Sequence, residues 1–468
     1  MIESQRSSLA ASPTVCSGIL TMLRIAALRP LAAAAVLLCI GAANAAEPTL
    51  TGWATMPAAT FSDGPTSGQF AAPNPYGTNL PPFLNKQPVQ GFSAVLPGRE
   101  HGHGYGHGRG GKDGDKDDDD TFRFLVDNGF GAQNNSADSV LRAYSLTIDF
   151  RTRHGGKGTV SPADWKTGRP ARSFDSHTRL SLNDANHLIG IPIQADYTNY
   201  YNNPANPPVD ETIRSRRLLT GADLDVESMR QDKDGNYWFG DEFGPYLIKT
   251  DARGTVLRSV IPLPGVYAPE NKDVARGAAL ANLGGSGGFE GMAINKSGTR
   301  LYTLLEKTVS GDPVKMLRIN EFDIDNEAYT GVGYFYPLDA GGTNIGDMTA
   351  VDDHRFIVIE RNGGTATNGT VPFKKLFLID IEGIGNGTVV RKTELVDLMN
   401  LADPDDLNGD GSTVFTLPYV TIENVLLLDP HTLLVVNDNN FPYGGGRALA
   451  SDATEFLRIA LPHHALKP

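Results

Sequence analysis

The sequence has very little cysteine. Its 468 residues include only Cys16 and Cys39, and both precede the tripeptide Ala43-Asn44-Ala45. That tripeptide has the A-x-A pattern of a signal-peptide cleavage site and follows an apolar run over residues 31–40. We therefore predict a signal peptide over residues 1–45, with an over-extended start. The exported chain would lack thiols, which excludes disulfides and thiolate metal sites and leaves oxygen or imidazole ligands.

The sequence also lacks a surplus of basic residues and a long hydrophobic segment. Its formal net charge is −13, which argues against a nucleic acid partner because a phosphate backbone requires a basic surface. The apolar run of the signal peptide is too short to span a bilayer as a stable helix, so no stable membrane insertion is expected. These features predict a periplasmic or secreted protein, and we expect a monomer.

Helical patterns are scarce as well. Only residues 393–401, with the sequence TELVDLMNL, have the apolar spacing of a helix. The 52 glycines and 30 prolines suit a protein rich in loops and strands better than a helical one. The sequence therefore predicts an all-β fold.

The sequence does contain a segment that is repeated four times. Each copy begins with an acidic residue beside a short apolar run, continues into a β-rich stretch and reaches a second acidic or amide cluster about 13–16 residues later. The copies run over residues 227–242, 290–306, 347–361 and 423–438. An apolar strand, a polar turn and a second apolar strand, repeated roughly every 60–75 residues, are typical of β-propeller blades.

Further strand patterns fit the same architecture. Residues 122–131 and 140–150 make a plausible first blade, and another strand is predicted at residues 91–96. A strand at residues 49–55 would close the propeller by completing its last blade. We predict a β-propeller with six blades, within a range of five to seven.

The predicted propeller domain spans residues 88–465 and follows an irregular lead-in over residues 46–87. Within the domain, residues 98–120 are rich in His, Gly and Asp and are predicted to form a disordered loop. Histidine and aspartate are also metal ligands. Weak, adventitious cation binding is therefore the alternative to a solvated linker.

Seven motifs lie in and around the repeats. They are RLLTG at 217–221, DVESM at 225–229, WFGDEFGPY at 238–246, GFEGM at 288–292, IGDMTA at 345–350, VIERNGG at 358–364 and VNDNNFP at 436–442. Together they resemble the phytase-like esterase family of exported bacterial proteins, and the resemblance covers roughly residues 88–462. It implies a propeller fold, an esterase-like activity and a distant relationship to calcium-dependent β-propeller phytases.

The repeated acidic residues predict a cation site. Radial packing of blades would gather equivalent strand ends on one face, around the central channel. Calcium takes six to eight oxygen ligands from carboxylates, carbonyls and water. The predicted metal ligands are Glu227, Asp241, Glu242, Glu290, Asp347, Glu423 and Asp438. Converging carboxylates without a cation would repel one another and raise each other's pKa values. The alternative is that these residues cap blade turns by accepting hydrogen bonds from backbone N–H groups.

Other polar residues of the repeats are assigned to the reaction. The residues assigned to catalysis are Glu227, Glu290, Glu360 and Arg361. Those assigned to substrate binding are Arg217, Asp241, Lys307 and Asn439. Calcium would polarise a phosphoryl or carboxyl oxygen and activate water without a covalent enzyme intermediate.

These assignments predict an exported, calcium-dependent hydrolase of ester or phosphoester bonds at the mouth of the channel. The few basic residues favour a small phosphoester or carboxylic ester over a polyphosphate such as phytate, since a phosphate needs Lys or Arg where it docks. The alternative is a non-catalytic propeller that binds a ligand or partner and uses calcium structurally.

Two local motifs suggest other chemistry. Residues 284–288 match the G-x-S-x-G pattern of serine hydrolases around Ser286, but no helix is predicted to follow, as the nucleophile elbow requires. Residues 406–411 resemble the start of an EF-hand loop, yet its twelfth position is Leu417 instead of glutamate. We expect a flexible glycine loop and an Asx-rich turn, respectively. The histidines outside the insert show no zinc spacing.

Overall fold

A computed structural model describes residues 47–71, 80–98, 120–448 and 451–467 of the chain. The predicted signal peptide lies outside the described residues, as does the His/Gly/Asp-rich insert except for its two ends. Asp120 at the second end forms an ion pair with Arg458.

Strands are the dominant regular structure of the described residues. The strands are β1 Thr49–Met56, β2 Phe61–Asp63, β3 Lys86–Pro88, β4 Phe92–Pro97, β5 Thr121–Val126, β6 Arg142–Asp149, β7 Thr159–Pro162, β8 Arg179–Ser181, β9 Val226–Gln231, β10 Tyr237–Asp241, β11 Tyr246–Thr250, β12 Ile261–Pro262, β13 Gly291–Ile294, β14 Arg300–Leu304, β15 Met316–Asp323, β16 Ala328–Pro337, β17 Asn344–Ala350, β18 Arg355–Arg361, β19 Lys374–Asp380, β20 Thr388–Val389, β21 Arg391–Asp397, β22 Leu401–Ala402, β23 Val414–Phe415, β24 Thr421–Asp429, β25 Thr432–Asp438 and β26 Thr454–Ala460. The helices are α1 Glu211–Arg216 and α2 Lys272–Ala275, and single 3-10 turns lie at Gln133–Asn135, Gln194–Asp196 and Tyr200–Asn202. No helix in the described part of the chain is long and apolar enough to cross a membrane.

The strands form the blades of a β-propeller, which confirms the predicted fold. Each blade is a four-stranded antiparallel unit: β4 to β7, β9 to β12, β13 to β16, then β17, β18, β19 and β21, and finally β24, β25, β26 and β1. The innermost strands β4, β9, β13, β17 and β24 touch one another in that order, and β24 returns to β4. The described residues therefore form five blades, which is within the predicted range of five to seven and one fewer than the favoured six. The long stretch between the first and second blades contributes only β8 and short helical turns instead of a further blade.

The N-terminal strand closes the propeller, as predicted. β1 pairs antiparallel with β26, with Trp53 opposite Leu457 and Thr55 opposite Glu455. It also touches the outer strand of the first blade, where Thr55 pairs with Thr159. A strand from the start of the domain thus completes the last blade, and this pairing ties the two ends of the fold together.

The hydrophobic core is divided among the interfaces between neighbouring blades. Successive strand residues point to opposite faces, so Trp238 packs with Phe289 towards the third blade while Phe239 packs with Leu125 towards the first. Each of the five interfaces has its own buried cluster. The blades are consequently hydrophobic on both faces, and the polar residues of the site lie at the ends of the strands.

The helix predicted at residues 393–401 is absent, and this prediction was wrong. Residues 391–397 form β21, which pairs antiparallel with β19 along its length. Pairing with an existing sheet edge decides the conformation here, because strand preference depends more on neighbouring strands than on local sequence.

Candidate functional site

The two inner strands of each blade bring one polar residue apiece to the same end of the channel. The first strand of a blade starts at this end and the second strand finishes there, because the two are joined as an antiparallel hairpin. The residues at the start of the first strands are Ser93, Glu227, Glu290, Asn344 and Glu423. The residues at the end of the second strands are Asp127, Glu242, Glu306, Arg361 and Asp438.

β-Bulges aim several of these side chains. Residues 92 and 94 pair with consecutive residues of β5, so Ser93 is the extra residue of a bulge. Glu227 occupies the same place between β9 and β10, and so does Glu423 between β24 and β25. A bulge turns the extra side chain away from the regular alternation of the strand. Here it directs side chains into the channel mouth.

The result is a cluster of carboxyl groups that we call the acidic ring. It consists of Asp127, Asp225, Glu227, Glu242, Glu290, Glu306, Glu423 and Asp438. All of these except Asp127 are only 2–8% exposed. Such a concentration of buried acids requires compensating positive charge, because an unpaired buried carboxylate is strongly disfavoured.

Two groups of three carboxylates within the ring could each hold a metal ion. Oxygens of Asp225, Glu227 and Glu242 lie within 4.8 Å of one another, and so do oxygens of Glu242, Glu290 and Glu306. Glu242 belongs to both groups. Two buried oxygens, Oδ1 of Asp225 and Oε1 of Glu242, have no hydrogen-bond partner among the described residues. The ring therefore contains buried carboxylate oxygens that accept no hydrogen bond from the described residues.

Arg361 is the central cation of the ring. Its Nη2 donates to Oε1 of Glu290 at 3.0 Å, of Glu306 at 3.2 Å and of Glu423 at 3.1 Å. Burial alone would lower the pKa of Arg361, but the three carboxylates raise it above its ordinary value. One guanidinium thus joins three blades, but a single positive charge cannot balance eight carboxyl groups.

Burial raises the pKa values of most carboxyl groups in the ring. The pKa of Glu227 and that of Glu242 lie well above the ordinary value, with repulsion from neighbouring carboxylates adding to burial. Burial raises the pKa of Glu423 to about 8 and that of Asp438 to about 6. The ring would consequently take up protons in the absence of another cation.

Neutral and basic groups complete the site. Ser93 Oγ donates to Glu423 Oε2 at 3.2 Å, and Asn344 Nδ2 donates to Glu306 Oε1 at 2.8 Å. Lys307 Nζ lies 3.5 Å from Oε2 of Glu306, and its side chain is 37% exposed. Lys374 donates to the backbone carbonyl of Val420 at 3.0 Å, and burial lowers its pKa to about 7. Lys307 is thus the more accessible of the two lysines beside the ring.

A sequence model of phytase-like proteins, described as "Esterase-like activity of phytase", matches residues 108–441. That span is well over half of the chain. The chain belongs to the phytase-like family. The sequence motifs that suggested this family also supply much of the acidic ring, including Asp225, Glu242, Glu290 and Arg361.

Other similarities of this phytase-like protein are more limited. Over 124 residues it is 30% identical to an uncharacterized secreted protein of Arthroderma benhamiae, and the match covers 22% of this chain and 24% of that protein. A GH43 β-1,3-galactosidase solved with galactodeoxynojirimycin matches 84% of this chain and 94% of its own, with 13% identity and a TM-score of 0.36. A luciferin-regenerating enzyme matches 73% and 84%, with 10% identity and a TM-score of 0.30. Likenesses this remote carry no argument about function.

Two of the predicted metal ligands lie outside the acidic ring of this phytase-like protein. Asp241 accepts hydrogen bonds from the backbone N–H groups of Asp225 at 2.8 Å and Gly244 at 2.6 Å, so it caps a turn. Asp347 pairs with Arg230 at 2.7 Å, between neighbouring blades. Both side chains therefore make contacts within the fold. The contacts of Asp241 are those of a turn cap, which was the alternative to a metal ligand.

Three residues predicted for catalysis or substrate binding are also placed elsewhere. Glu360 accepts a hydrogen bond from Tyr336 Oη at 2.7 Å, because it points to the opposite face of β18 from Arg361. Arg217 pairs with Asp184 at 3.0 Å and with Asp196 at 2.7 Å. Asn439 donates to Gln90 Oε1 at 2.7 Å and to the backbone of Asp452. The structure brings together Glu227, Glu242, Glu290, Glu423, Asp438, Arg361 and Lys307 from the predicted set.

Asp127 and Asp225 were missed as site residues in the sequence. Asp127 directly follows β5, the position that Glu242 holds after β10. Alignment of the first blade with the four repeats would have found it. Asp225 lies just ahead of β9, and no periodic signal marks it.

The two remaining local motifs lie in loops. No helix follows Ser286, and its Oγ donates to Asp225 Oδ2 at 3.0 Å. In the EF-hand-like segment, Asp406 accepts a hydrogen bond from the N–H of Gly411 at 3.1 Å, as in an Asx-rich turn. A surface group of His354, Asp380 and Glu382 could also hold a metal, but Asp380 is already paired with Arg391 at 2.7 Å.

Proposed function

We propose that this protein is an exported, monomeric, calcium-dependent hydrolase of ester or phosphoester bonds, with its site at the acidic ring. The observation that carries the proposal is the pair of carboxylate triads that share Glu242. Export is supported by the signal-peptide pattern and by the secreted relative. Membership of the phytase-like family supports the reaction class.

The ring suits calcium in its donor atoms. Each triad offers only carboxylate oxygens, which are the hard ligands that calcium prefers over imidazole or thiolate. The unpartnered oxygens of Asp225 and Glu242 fit this interpretation, since a bound cation would satisfy them. Asp225, Glu227 and Glu242 would hold one ion, and Glu242, Glu290 and Glu306 would hold a second.

The chain's own residues would orient the substrate and handle protons. Bound calcium would supply Lewis acidity, polarising the ester or phosphoryl oxygen and lowering the pKa of water. Lys307, the accessible cation beside the ring, would receive the negative group of the substrate. Arg361 would keep Glu290 and Glu423 in place. Glu423, which Ser93 and Arg361 hold beside the triads, would act as the general acid or base.

The shape of the site favours a small substrate. Arg361 is 8% exposed at its side chain, whereas Lys307 is 37% exposed. One accessible cation suits a substrate with a single phosphate or carboxylate better than one with many. The deep burial of the carboxylates also favours a second candidate, in which calcium is structural and the ring face binds a ligand without turnover.

An assay with chromogenic carboxylic esters and phosphomonoesters distinguishes these two functions. We expect hydrolysis of at least one class with calcium and its loss with a chelator, because the triads need the ion. Glu290→Gln should lower both turnover and calcium stabilisation. Ser286→Ala should leave most of the turnover, since Ser286 contacts Asp225 and has no histidine partner in the described structure. Calcium stabilisation without hydrolysis of any substrate would favour the structural role, and abolished turnover in Ser286→Ala alone would point to a serine hydrolase.

We expect the stabilisation by calcium to depend on pH. Burial raises the folded-state pKa values of ring carboxyls, so in the metal-free protein they favour folding at low pH. This contribution is lost as the pH rises through the raised values, about 6 for Asp438 and about 8 for Glu423. Calcium competes with these protons. Differential scanning calorimetry should show a larger calcium-induced rise in melting temperature at pH 8 than at pH 5, and equal rises at both would contradict proton competition.

A further inference from the structure

A basic cleft opens between the first and second blades at the end of the strands opposite to the acidic ring. Its volume is about 1020 Å³. The charged side chains that line it are Arg123, Lys166, Arg169, Arg179, Arg216 and Arg253. Among the described residues of its lining, none is acidic. This is a local excess of positive charge in a chain whose formal net charge is −13.

The cleft is separate from the acidic ring. Strand β9 runs from Val226 to Gln231, and it places Glu227 in the ring and Gln231 in the wall of the cleft. Four residues of strand span roughly 13 Å. A ligand in the cleft would therefore not contact the carboxylates of the ring.

Few carboxylates of the described residues pair with the cationic side chains of the cleft. Arg179 pairs with Asp63. Lys166, Arg169, Arg216 and Arg253 form no ion pair with any carboxylate in the described parts of the chain. These four side chains are exposed, so water solvates them and they remain accessible to an anion that would be attracted by all of them.

Arg123 anchors the wall of the cleft. It lies over the ring of Trp165 at 4.7 Å and donates to Tyr237 Oη at 2.8 Å and to the carbonyl of Trp165 at 3.2 Å. Its buried Nε has no partner among the described residues. Neutral partners fix the guanidinium in place and leave its charge available. A fixed, planar guanidinium is well suited to bind phosphate or carboxylate.

We propose that this basic cleft binds a soluble oligoanion that carries several phosphate or carboxylate groups. Arg123 forms the fixed contact, and Arg169, Arg216 and Arg253 bind the further negative groups. The volume of about 1020 Å³ admits a ligand with several such groups. The proposal does not rest on hydrolysis at the acidic ring, since the two sites use different residues at opposite ends of the blades.

Isothermal titration calorimetry in metal-free buffer tests the proposal, with tripolyphosphate and trigalacturonate as probes. We expect saturable binding of at least one probe, weakened at high salt because the attraction is between charges. Binding of only tripolyphosphate would identify phosphate as the recognised group, and binding of only trigalacturonate would identify carboxylate. The proposal is overturned if neither probe binds or if binding is insensitive to salt.

Matched variants locate the binding. The double substitution Arg169→Gln/Arg253→Gln should weaken it at least about 10-fold, since two charge-assisted contacts are lost. The control Lys375→Gln/Arg391→Gln removes the same charge from the fourth blade, where both residues are paired with acids, and should leave the affinity unchanged. Glu290→Gln should leave it unchanged as well. Equal loss in the control, or loss of binding in Glu290→Gln, would contradict a site in the cleft.

Discussion

Replacement of Glu242 with glutamine should remove most of the stabilisation by calcium while making the metal-free protein more stable. Glu242 belongs to both carboxylate triads, and its Oε1 is buried without a hydrogen-bond partner among the described residues. The amide removes a charge that is repelled by neighbouring carboxylates, and it also removes a ligand from both ions. At a calcium concentration about 100 times the dissociation constant, each bound ion stabilises the wild type by about 2.7 kcal/mol, whereas an ion bound about 100-fold more weakly contributes only about 0.4 kcal/mol.

Thermal unfolding with calcium and with a chelator measures both effects of Glu242→Gln. Glu394→Gln is the control, since Glu394 is an exposed acid on the fourth blade that pairs with Lys375. This control should keep the full response to calcium. An undiminished calcium response in Glu242→Gln would show that the triads do not bind the ion.

Replacement of Arg361 with methionine should cost about 3–5 kcal/mol of folding stability in the absence of calcium. Arg361 donates to Glu290, Glu306 and Glu423, and its loss would leave three buried carboxylates without their shared cation. Urea unfolding measures the change in free energy. The loss should be smaller at pH 5 than at pH 8, because Glu290 and Glu423 have raised pKa values and become neutral by taking up protons.

Two variants give this experiment its controls. Arg361→Lys keeps the charge but loses donors of the guanidinium fork, so it should lose less stability than the methionine variant. Arg391→Gln removes an exposed arginine that is paired with Asp380, and should cost no more than about 1 kcal/mol. A loss for Arg361→Met as small as that for Arg391→Gln would show that Arg361 is not the electrostatic centre of the ring.

The sequence was sufficient to predict the architecture because blades repeat a local pattern. The four repeats from Glu227, Glu290, Asp347 and Glu423 correspond to the second to fifth blades, and residues 122–150 correspond to part of the first. The closing strand was predicted at residues 49–55 and spans Thr49–Met56 in the structure. The expected six blades became five, since periodicity marks each blade but does not show how many close the ring.

The side chains of the site were harder to predict, because their direction depends on single positions in a strand. Glu360 and Arg361 are neighbours in the sequence, yet alternation sends only Arg361 into the ring. Glu423 enters it from a β-bulge. Asp347 also lies at a register shift, but it forms an ion pair with Arg230 of the second blade instead of joining the ring. Bulge positions and partners from neighbouring blades are set by the assembled sheets, which no local pattern reveals.

Calorimetric titration of calcium into the chelator-treated protein at pH 8 tests the central claim most directly. The acidic ring predicts saturable calcium binding by the wild type that is strongly weakened in Glu242→Gln and retained in Glu394→Gln. Absence of saturable binding by the wild type, or equal binding by all three proteins, would contradict a calcium site in the ring.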